Sequence, residues 1–177
     1  LVRTLILAHE ILNLQNDFMG LNPKIISSIK LLILDVDGVM TDSRVFYDNG
    51  GEWRRMFNIR DGMGIVRLHM AGYKTAVITG SNAEDIRARV KRLGIHYFHE
   101  GKVEKLPAYE QVKQESGMTD DEICYVGDDF FDIPVLEKVK FAATVADAEK
   151  EVVDMVHFVT ENKGGFGAVR EICNLIY

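Results

Sequence analysis

Short apolar runs alternate with amphipathic segments along most of the chain. The first run, residues 31–36, ends in Asp-Gly, as expected of a strand buried on both faces of a parallel sheet. The pattern then predicts strands at 74–79, 96–99, 123–127, 141–145 and 155–159, and helices at 61–72, 82–93, 107–116, 133–139, 147–154 and from about 167 onward. Strands and helices that alternate through short links indicate βαβ units. The predicted fold is therefore α/β, a Rossmann-like parallel sheet flanked by helices.

Several helix ends carry a local signal of their own. Asp61 and Asn82 are predicted to cap the amino ends of the first two helices after the hairpin region, because their side chains can accept from free backbone amides. Gly94 and Gly117 are predicted to end two helices, since glycine tolerates the left-handed conformation found there. Residues 119–122 have the Thr-x-x-Glu spacing of a capping box, which predicts one further helical turn.

Two early segments depart from the alternating pattern. Residues 44–48 and 52–57 flank Asn49-Gly50, a dipeptide that favours the tight turn of a β-hairpin. Residues 1–29 are interpreted as an N-terminal helical extension, with a helix at about 4–14, a loop at 20–23 and a short linker. The remaining residues, 30–177, form one domain by this prediction.

Composition narrows the class of protein. The chain has 177 residues, 47% hydrophobic and 27% charged, which is typical of a globular protein with a full core. Its apolar runs are too short to cross a bilayer, and its start lacks the features of a signal peptide. Cys124 and Cys173 form neither a disulfide framework nor a zinc pattern, so a cytoplasmic enzyme is expected.

The net charge of −6 argues against a nucleic-acid partner, because no basic patch is available to replace counterions around phosphates. The polar motifs, however, have the chemistry of a phosphate site. They fall where predicted parallel strands end: Asp35 and Asp37 after the first strand, Thr79-Gly80 after the second, and Asp128-Asp129 after the fourth. Ligands bind beyond the carboxyl ends of such sheets. We therefore expect these side chains to share one site, with Lys105 a few residues after the third strand.

Two carboxylates at the tip of one strand fit the cleavage of a phosphomonoester. Asp35 is the candidate nucleophile, since a carboxylate can attack phosphorus and form an aspartyl-phosphate. Asp37 is the candidate general acid and base, which protonates the leaving oxygen and later takes a proton from water. The same two residues repel phosphate, so a cation is required. Asp128, Asp35 and the backbone carbonyl of Asp37 offer the oxygen ligands that Mg²⁺ prefers.

Three further residues are predicted to stabilise the negative charge of the phosphoryl group. The Thr79 hydroxyl and the Gly80 amide precede a helix and can bind phosphate oxygens, and Lys105 can neutralise the transferring group. Taken singly, each motif also fits a polar turn, a helix cap or a solvated lysine. Their order along the chain and their common position at strand ends favour the catalytic interpretation.

These residues resemble the signatures of the haloacid dehalogenase superfamily of phosphohydrolases. The four signatures are Asp35-Val-Asp37-Gly-Val, Thr79-Gly80, Lys105 and Gly127-Asp128-Asp129-x-x-Asp132. Within that superfamily, residues 30–177 are most similar to the 3-deoxy-D-manno-octulosonate 8-phosphate phosphatases of lipopolysaccharide biosynthesis, above all in the glycine-rich tail 164–171. The resemblance implies Mg²⁺, a phosphorylated eight-carbon acidic sugar, and a homotetramer with shared active sites. It also implies a hairpin flap at about 43–57 in place of a cap domain.

The resemblance further implies that Asp132 steadies Lys105 and that Asp129 lies beside the metal. Gly80, Ser81 and Arg89 are the candidate phosphate- or substrate-binding residues, Arg89 because its planar fork can bind a carboxylate or phosphate. Ser81 stands where members of the family often carry Arg, so a nine-carbon sialic-acid-type phosphate remains an alternative substrate, and a non-catalytic oligomerisation module a third possibility. Arg89 and Arg170 either bind the substrate or form surface ion pairs, and the hairpin arginines, 54 and 55, are predicted to face solvent or a neighbour.

Overall fold

The computed structural model describes residues 22–177, and the predicted helix at about 4–14 lies outside them. A six-stranded sheet with helices on both faces forms the body of the molecule, and a two-stranded hairpin lies beside it. In chain order the elements are α1 (Pro23–Ser28), β1 (Leu31–Leu34), β2 (Phe46–Tyr47), β3 (Trp53–Arg54), α2 (Ile59–Met70), β4 (Lys74–Ile78), α3 (Glu84–Leu93), β5 (Tyr97–His99), α4 (Lys105–Ser116), β6 (Ile123–Val126), α5 (Ile133–Leu136), β7 (Phe141–Thr144), α6 (Lys150–Val153), β8 (Phe158–Val159) and α7 (Ala168–Ile176).

The sheet has the order β5-β4-β1-β6-β7-β8, and every neighbouring pair is parallel. The predicted α/β fold is thus confirmed. All four residues of β1 are fully buried, because this strand lies at the centre of the sheet. Leu32 and Leu34 face a core shared with α2, α3 and α7, whereas Leu31 and Ile33 face a second core formed with α4, α5 and α6. The continuous apolar run follows from this burial on both faces.

Most predicted elements are present, but several begin or end elsewhere. α2 is capped by Asn58, whose side chain accepts from the Arg60 amide at 2.8 Å, so the predicted cap at Asp61 is wrong. Asn82 does not cap α3 either, because its side chain binds Arg87 and the chain stays extended through Ala83. Gly94 and Gly117 end their helices in the left-handed conformation, as predicted.

Two short helical features bear on the other local predictions. The capping box at 119–122 is present and begins a 3-10 turn. Pro23–Ser28 is a helix where the sequence analysis predicted a loop and linker. Its amino end has Asn22 as cap, accepting from the Lys24 amide at 3.0 Å, and proline in its first turn. This Asn-Pro pair is a recognised start signal. None of the helices in residues 22–177 is long and apolar enough to span a membrane.

The predicted hairpin is confirmed, with shorter strands than expected. Phe46 pairs with Arg54 and Tyr47 with Trp53, and the Tyr47 and Trp53 rings meet edge to face at 5.0 Å. The hairpin and the start of α2 leave a set of large apolar side chains exposed. These are Val45, Phe46, Tyr47, Trp53, Met56, Ile59 and Met63, each at least 46% exposed.

The glycine-rich tail packs directly against the loop that follows β1. A Cβ atom on Gly164 would lie 1.7 Å from the Gly38 carbonyl oxygen, so no larger residue fits there without moving the backbone. The Gly165 amide donates to the Val39 carbonyl at 3.1 Å, and the Asn58 side chain donates to the Gly165 carbonyl at 3.0 Å. The tail therefore connects the loop after β1 with the start of α2.

Candidate active site

A cleft of about 200 Å³ opens at the carboxyl ends of β1, β4 and β6. This is the position expected for a ligand site in an open parallel sheet. Its lining is made of Asp35, Asp37, Thr79, Gly80, Ser81, Val103, Lys105, Asp129 and Phe131. The structure thus brings together the predicted residues from three strand ends and from the start of α4.

Asp35 and Lys105 form the buried centre of the cleft. The Lys105 ammonium lies 2.9 Å from Asp35 Oδ2 and 2.6 Å from Asp132 Oδ1, and both Asp35 and Lys105 are about 95% buried. Burial works to lower the pKa of Lys105, but the two carboxylates outweigh it and raise that pKa. Burial also raises the pKa of Asp35 to about 7, with Lys105 opposing this shift. Lys105 is therefore charged, and its positive charge stabilises the ionised form of the Asp35 carboxylate.

Asp132 is a fully buried carboxylate that fixes the position of Lys105. Besides Lys105, its Oδ1 accepts from the Tyr125 hydroxyl at 2.5 Å. Its Oδ2 accepts from the backbone amides of Asp128 and Asp129, at 3.0 and 3.2 Å. Because both oxygens are engaged by protein donors, Asp132 orients its neighbours rather than offering a free ligand atom. This geometry fits the supporting role that the resemblance implied.

The acidic cluster beside Asp35 has the donor set of a hard-cation site. Carboxylate oxygens of Asp35, Asp128 and Asp132 lie within 4.8 Å of one another. Asp128 Oδ1 is buried and has no hydrogen-bond partner within residues 22–177, and burial together with the Asp35 and Asp132 carboxylates raises the pKa of Asp128 to about 8. Uncompensated buried carboxylates are costly, and oxygen ligands suit Mg²⁺. Asp35 and Asp128 therefore fit the predicted cation.

Glycine is required next to this cluster. Gly38 has a φ of +93°, which L side chains rarely adopt, and a Cβ there would lie 1.9 Å from Asp128 Oδ2. The turn after β1 can therefore bring the Asp37–Gly38 backbone against Asp128 only because residue 38 lacks a side chain.

Arg55, the residue directly after β3 at the foot of the hairpin, binds the carboxylate of Asp37. The Arg55 side chain is 7% exposed, and its Nε lies 2.5 Å from Asp37 Oδ1. The Ser81 hydroxyl donates to Asp37 Oδ2 at 2.6 Å and accepts from Arg55 Nη2 at 2.8 Å. The prediction that Arg55 faces solvent or a neighbour is therefore wrong. Arg54 points elsewhere and pairs with Asp48 and Glu84.

Thr79, Gly80 and Asp129 lie at the rim and floor of the cleft. Thr79 is buried, and its Oγ1 accepts from the Ser81 amide at 3.1 Å, which leaves its hydroxyl proton free to donate to a bound anion. Asp129 accepts from the Phe130 amide at 2.5 Å, and a Cβ on Gly80 would lie 3.7 Å from Val103 Cγ2, an ordinary van der Waals contact.

Arg89 and Arg170 do not line the cleft in a single chain. Arg89 lies beneath α2, where its Nη2 donates to the Asn58 carbonyl at 2.7 Å and its guanidinium stands 5.6 Å from the Phe57 ring centre. Arg170 binds Asn174 through Nε at 3.0 Å on the surface of α7. Within the described part of the chain, neither arginine forms the surface ion pair that was the alternative to substrate binding. A substrate role for either stays a prediction.

Sequence reasoning missed three residues of this region. Val103 and Phe131 form an apolar wall of the cleft, and Arg55, the residue directly after β3, binds the Asp37 carboxylate that lines it. Alternation along the predicted strand would place the adjacent residues Arg54 and Arg55 on opposite faces. No signal in the sequence said which of the two would bind Asp37, and none marked Val103 or Phe131.

The charge balance of the cleft explains how an acidic protein could handle phosphate. Five carboxylates, from Asp35, Asp37, Asp128, Asp129 and Asp132, stand against the ammonium of Lys105 and the guanidinium of Arg55. A phosphate dianion would be repelled by this set unless a divalent cation joined it. The arrangement can therefore hold a cation, position a phosphoryl group beside Asp35, and bring a second carboxylate to the leaving oxygen.

Comparison with known proteins supports this chemistry. The family model for haloacid dehalogenase-like hydrolases matches residues 63–140. The 3-deoxy-D-manno-octulosonate 8-phosphate phosphatase of Yersinia pestis is 41% identical over 150 residues, which cover 85% of this chain and 80% of that protein. Its crystal structure superimposes with a TM-score of 0.84 over 86% of this chain and 83% of that one. The Moraxella catarrhalis phosphatase of the same name, in complex with magnesium ion, phosphate ion and KDO, is 30% identical with a TM-score of 0.84 over 91% and 90% of the two chains.

Proposed function

We propose that this chain, which belongs to the haloacid dehalogenase-like hydrolases, removes the phosphate from 3-deoxy-D-manno-octulosonate 8-phosphate through an aspartyl-phosphate intermediate. The family membership and the phosphatase relatives make the chain a phosphatase. The relatives named for this sugar phosphate support the substrate. The observation that carries the mechanism is the buried Asp35 carboxylate, 2.9 Å from the Lys105 ammonium and beside the unpartnered oxygen of Asp128.

In the first step, an Asp35 oxygen attacks phosphorus, and the bond between phosphorus and the sugar oxygen breaks. That oxygen takes a proton from Asp37. In the second step, water attacks phosphorus, the Asp35–phosphorus bond breaks, and Asp37 takes the proton from water. Lys105 neutralises the phosphoryl oxygens throughout, while the Thr79 hydroxyl and the Gly80 and Ser81 amides orient them.

The cofactor we propose is Mg²⁺, held by Asp35 and Asp128 with the Asp37 carbonyl as the third protein ligand. When bound, it neutralises charge on the phosphoryl group that the cleft's carboxylates would repel. The magnesium in the Moraxella catarrhalis relative supports this assignment. We also propose a cytoplasmic location, which suits two free and buried cysteines, because thiols stay reduced there.

A substrate screen tests the proposed function. The eight-carbon phosphate, nine-carbon keto-sugar acid phosphates and simple sugar phosphates would each be assayed for phosphate release with Mg²⁺. We expect kcat/KM for the eight-carbon substrate to exceed that for any other by about 10-fold or more. A preference for a nine-carbon substrate would move the substrate assignment to that alternative, since Ser81 replaces the arginine frequent at its position. Hydrolysis of none would contradict the function itself.

We further propose a homotetramer whose neighbours complete one another's active sites. The support is the exposed apolar set on the hairpin and the start of α2, because an apolar surface of this extent is typical of an interface. The set lies beside Arg55 and hence beside the cleft, so a neighbour seated on it would also cover the substrate.

A matched pair of methionine variants tests the assembly. Met56→Glu places a charge within the apolar set, where Met56 is 75% exposed, and is expected to dissociate the assembly and lower activity. Met70→Glu changes a methionine at the far end of α2 that is 86% exposed, and should leave the mass of the assembly unchanged. Size-exclusion chromatography with light scattering measures both. A fully active monomer would contradict shared sites.

A further inference from the structure

Arg55 connects the hairpin to the proton-transfer carboxylate through a closed ring of hydrogen bonds. Its Nε and Nη2 donate to the two oxygens of Asp37, at 2.5 and 3.2 Å. The same Nη2 donates to Ser81 Oγ at 2.8 Å, and that hydroxyl donates back to Asp37 Oδ2 at 2.6 Å. A carboxylate held by an arginine fork and a hydroxyl has little freedom to rotate.

A second carboxylate holds Arg55 itself in place. The Arg55 amide donates to Asp85 Oδ2 at 2.8 Å, and its Nη1 donates to Asp85 Oδ1 at 3.3 Å. Asp85 lies in the first turn of α3 and its side chain is 10% exposed, whereas Asp37 is 34% exposed on the side of the cleft. The guanidinium is therefore held by α3 through Nη1, while its Nε and Nη2 face Asp37.

We propose that Arg55 is the positioning residue through which the hairpin sets the orientation of Asp37 for proton transfer. This inference rests on the proposed phosphatase mechanism. Arg55 does not line the cleft, so it acts through Asp37 and Ser81 rather than on the substrate. A movement of the hairpin foot is then transmitted to the group that must reach the leaving oxygen. The hairpin takes part in the reaction instead of only covering the site.

The leaving group makes this role measurable. A sugar alkoxide is a poor leaving group and needs a proton from Asp37, whereas p-nitrophenolate leaves without one. Formation of the aspartyl-phosphate from a sugar phosphate therefore depends on the orientation of Asp37, and formation from p-nitrophenyl phosphate does not. A general loss of structure would slow both reactions alike.

The experiment measures single-turnover aspartyl-phosphate formation on the full chain with Mg²⁺, for the eight-carbon sugar phosphate and for p-nitrophenyl phosphate. Arg55→Met is expected to slow the sugar reaction about 10- to 100-fold and the nitrophenyl reaction less than about 3-fold. Arg55→Lys keeps a charge without the fork, and should recover part of the loss. Arg54→Met is the matched control, since Arg54 binds Asp48 and Glu84 away from the cleft and should retain both rates.

Two further measurements keep the result interpretable. Arg55→Met leaves the Asp85 carboxylate without its partner, so the double variant Arg55→Met/Asp85→Asn removes that charge and should show the same selective loss. The fluorescence of Trp53, the one tryptophan of the chain, reports the hairpin in each variant. Equal slowing of both substrates, or no slowing of either, would overturn the proposal. A wild type inactive on both would instead refute the phosphatase function before any variant is compared.

Discussion

Replacement of Asp35 by Asn is expected to lower phosphate release by about 10⁴-fold or more, because it removes the proposed nucleophile itself. The amide cannot form the bond to phosphorus. It should nevertheless be tolerated by the fold, since the Asp35 carboxylate is buried beside two other acidic groups and burial raises its pKa to about 7. Lys105 keeps its bond to Asp132 in the variant.

Steady-state phosphate release and thermal unfolding would be measured together for Asp35→Asn. The expected result is a loss of activity with an unfolding temperature equal to or above that of the wild type. Asp154→Asn is a matched control, because that carboxylate lies on the exposed surface of the helix region and pairs only with Lys150 among the described side chains. Acid quenching should trap phosphate on the wild type and none on Asp35→Asn. Substantial Mg²⁺-dependent turnover by the variant would refute the nucleophile assignment.

Removal of divalent metal is expected to lower activity to background and to restore it when Mg²⁺ is returned. Without a cation, the five carboxylates in and beside the cleft repel a phosphate dianion, and none of the described residues donates a hydrogen bond to Asp128 Oδ1. Phosphate release is measured first in chelator and then after Mg²⁺ is added in excess, which tests the loss of activity and its recovery. Full activity in chelator would show that the cation is not needed.

Metal removal should also change how stability depends on pH. The pKa values of Asp35 and Asp128 are raised from 3.8 to about 7 and about 8, mainly by burial. Between pH of about 4 and about 8 the folded metal-free protein therefore holds more protons than the unfolded chain. Its stability consequently falls as pH rises through that window. Bound Mg²⁺ favours the charged carboxylates and should reduce the fall.

Thermal unfolding at several pH values, with chelator and with saturating Mg²⁺, tests this dependence. Asp128→Asn removes one of the two groups, so its metal-free form should show a shallower fall than the metal-free wild type. An identical pH dependence with and without Mg²⁺ would contradict a cation bound between Asp35 and Asp128.

The parallel sheet could be predicted because its strands carry their signal locally. β1 is apolar throughout, and the glycines that end α3 and α4 stand at positions where a left-handed residue is needed. The predicted catalytic residues could be grouped from the same strand pattern, because the carboxyl ends of parallel strands lie along one edge of the sheet. Asp35, Asp37 and Lys105 could therefore be placed together from sequence alone.

The contacts of Arg55 could not be predicted, because they depend on how a short hairpin leans over the sheet edge. Its partners Asp37, Ser81 and Asp85 come from three different elements, and no local pattern relates them to residue 55. The predicted cap at Asp61 is wrong for a related reason. Asp61 has the right residue type for a cap, but its side chain is drawn into the core, where it accepts from the Arg170 amide at 2.7 Å.

The contact between Gly164 and the Gly38 carbonyl has a consequence for how the protein is made. The proposed nucleophile loop is synthesised before the glycine that fits against it, which follows more than a hundred residues later in the chain. Until it arrives, the Asp-x-Asp-Gly turn lacks the backbone donor from Gly165 and the wall that confines it. A growing chain that already contains each proposed catalytic side chain thus still lacks the contact that confines this turn, and we expect the proposed site to be fully ordered only after the tail has been synthesised.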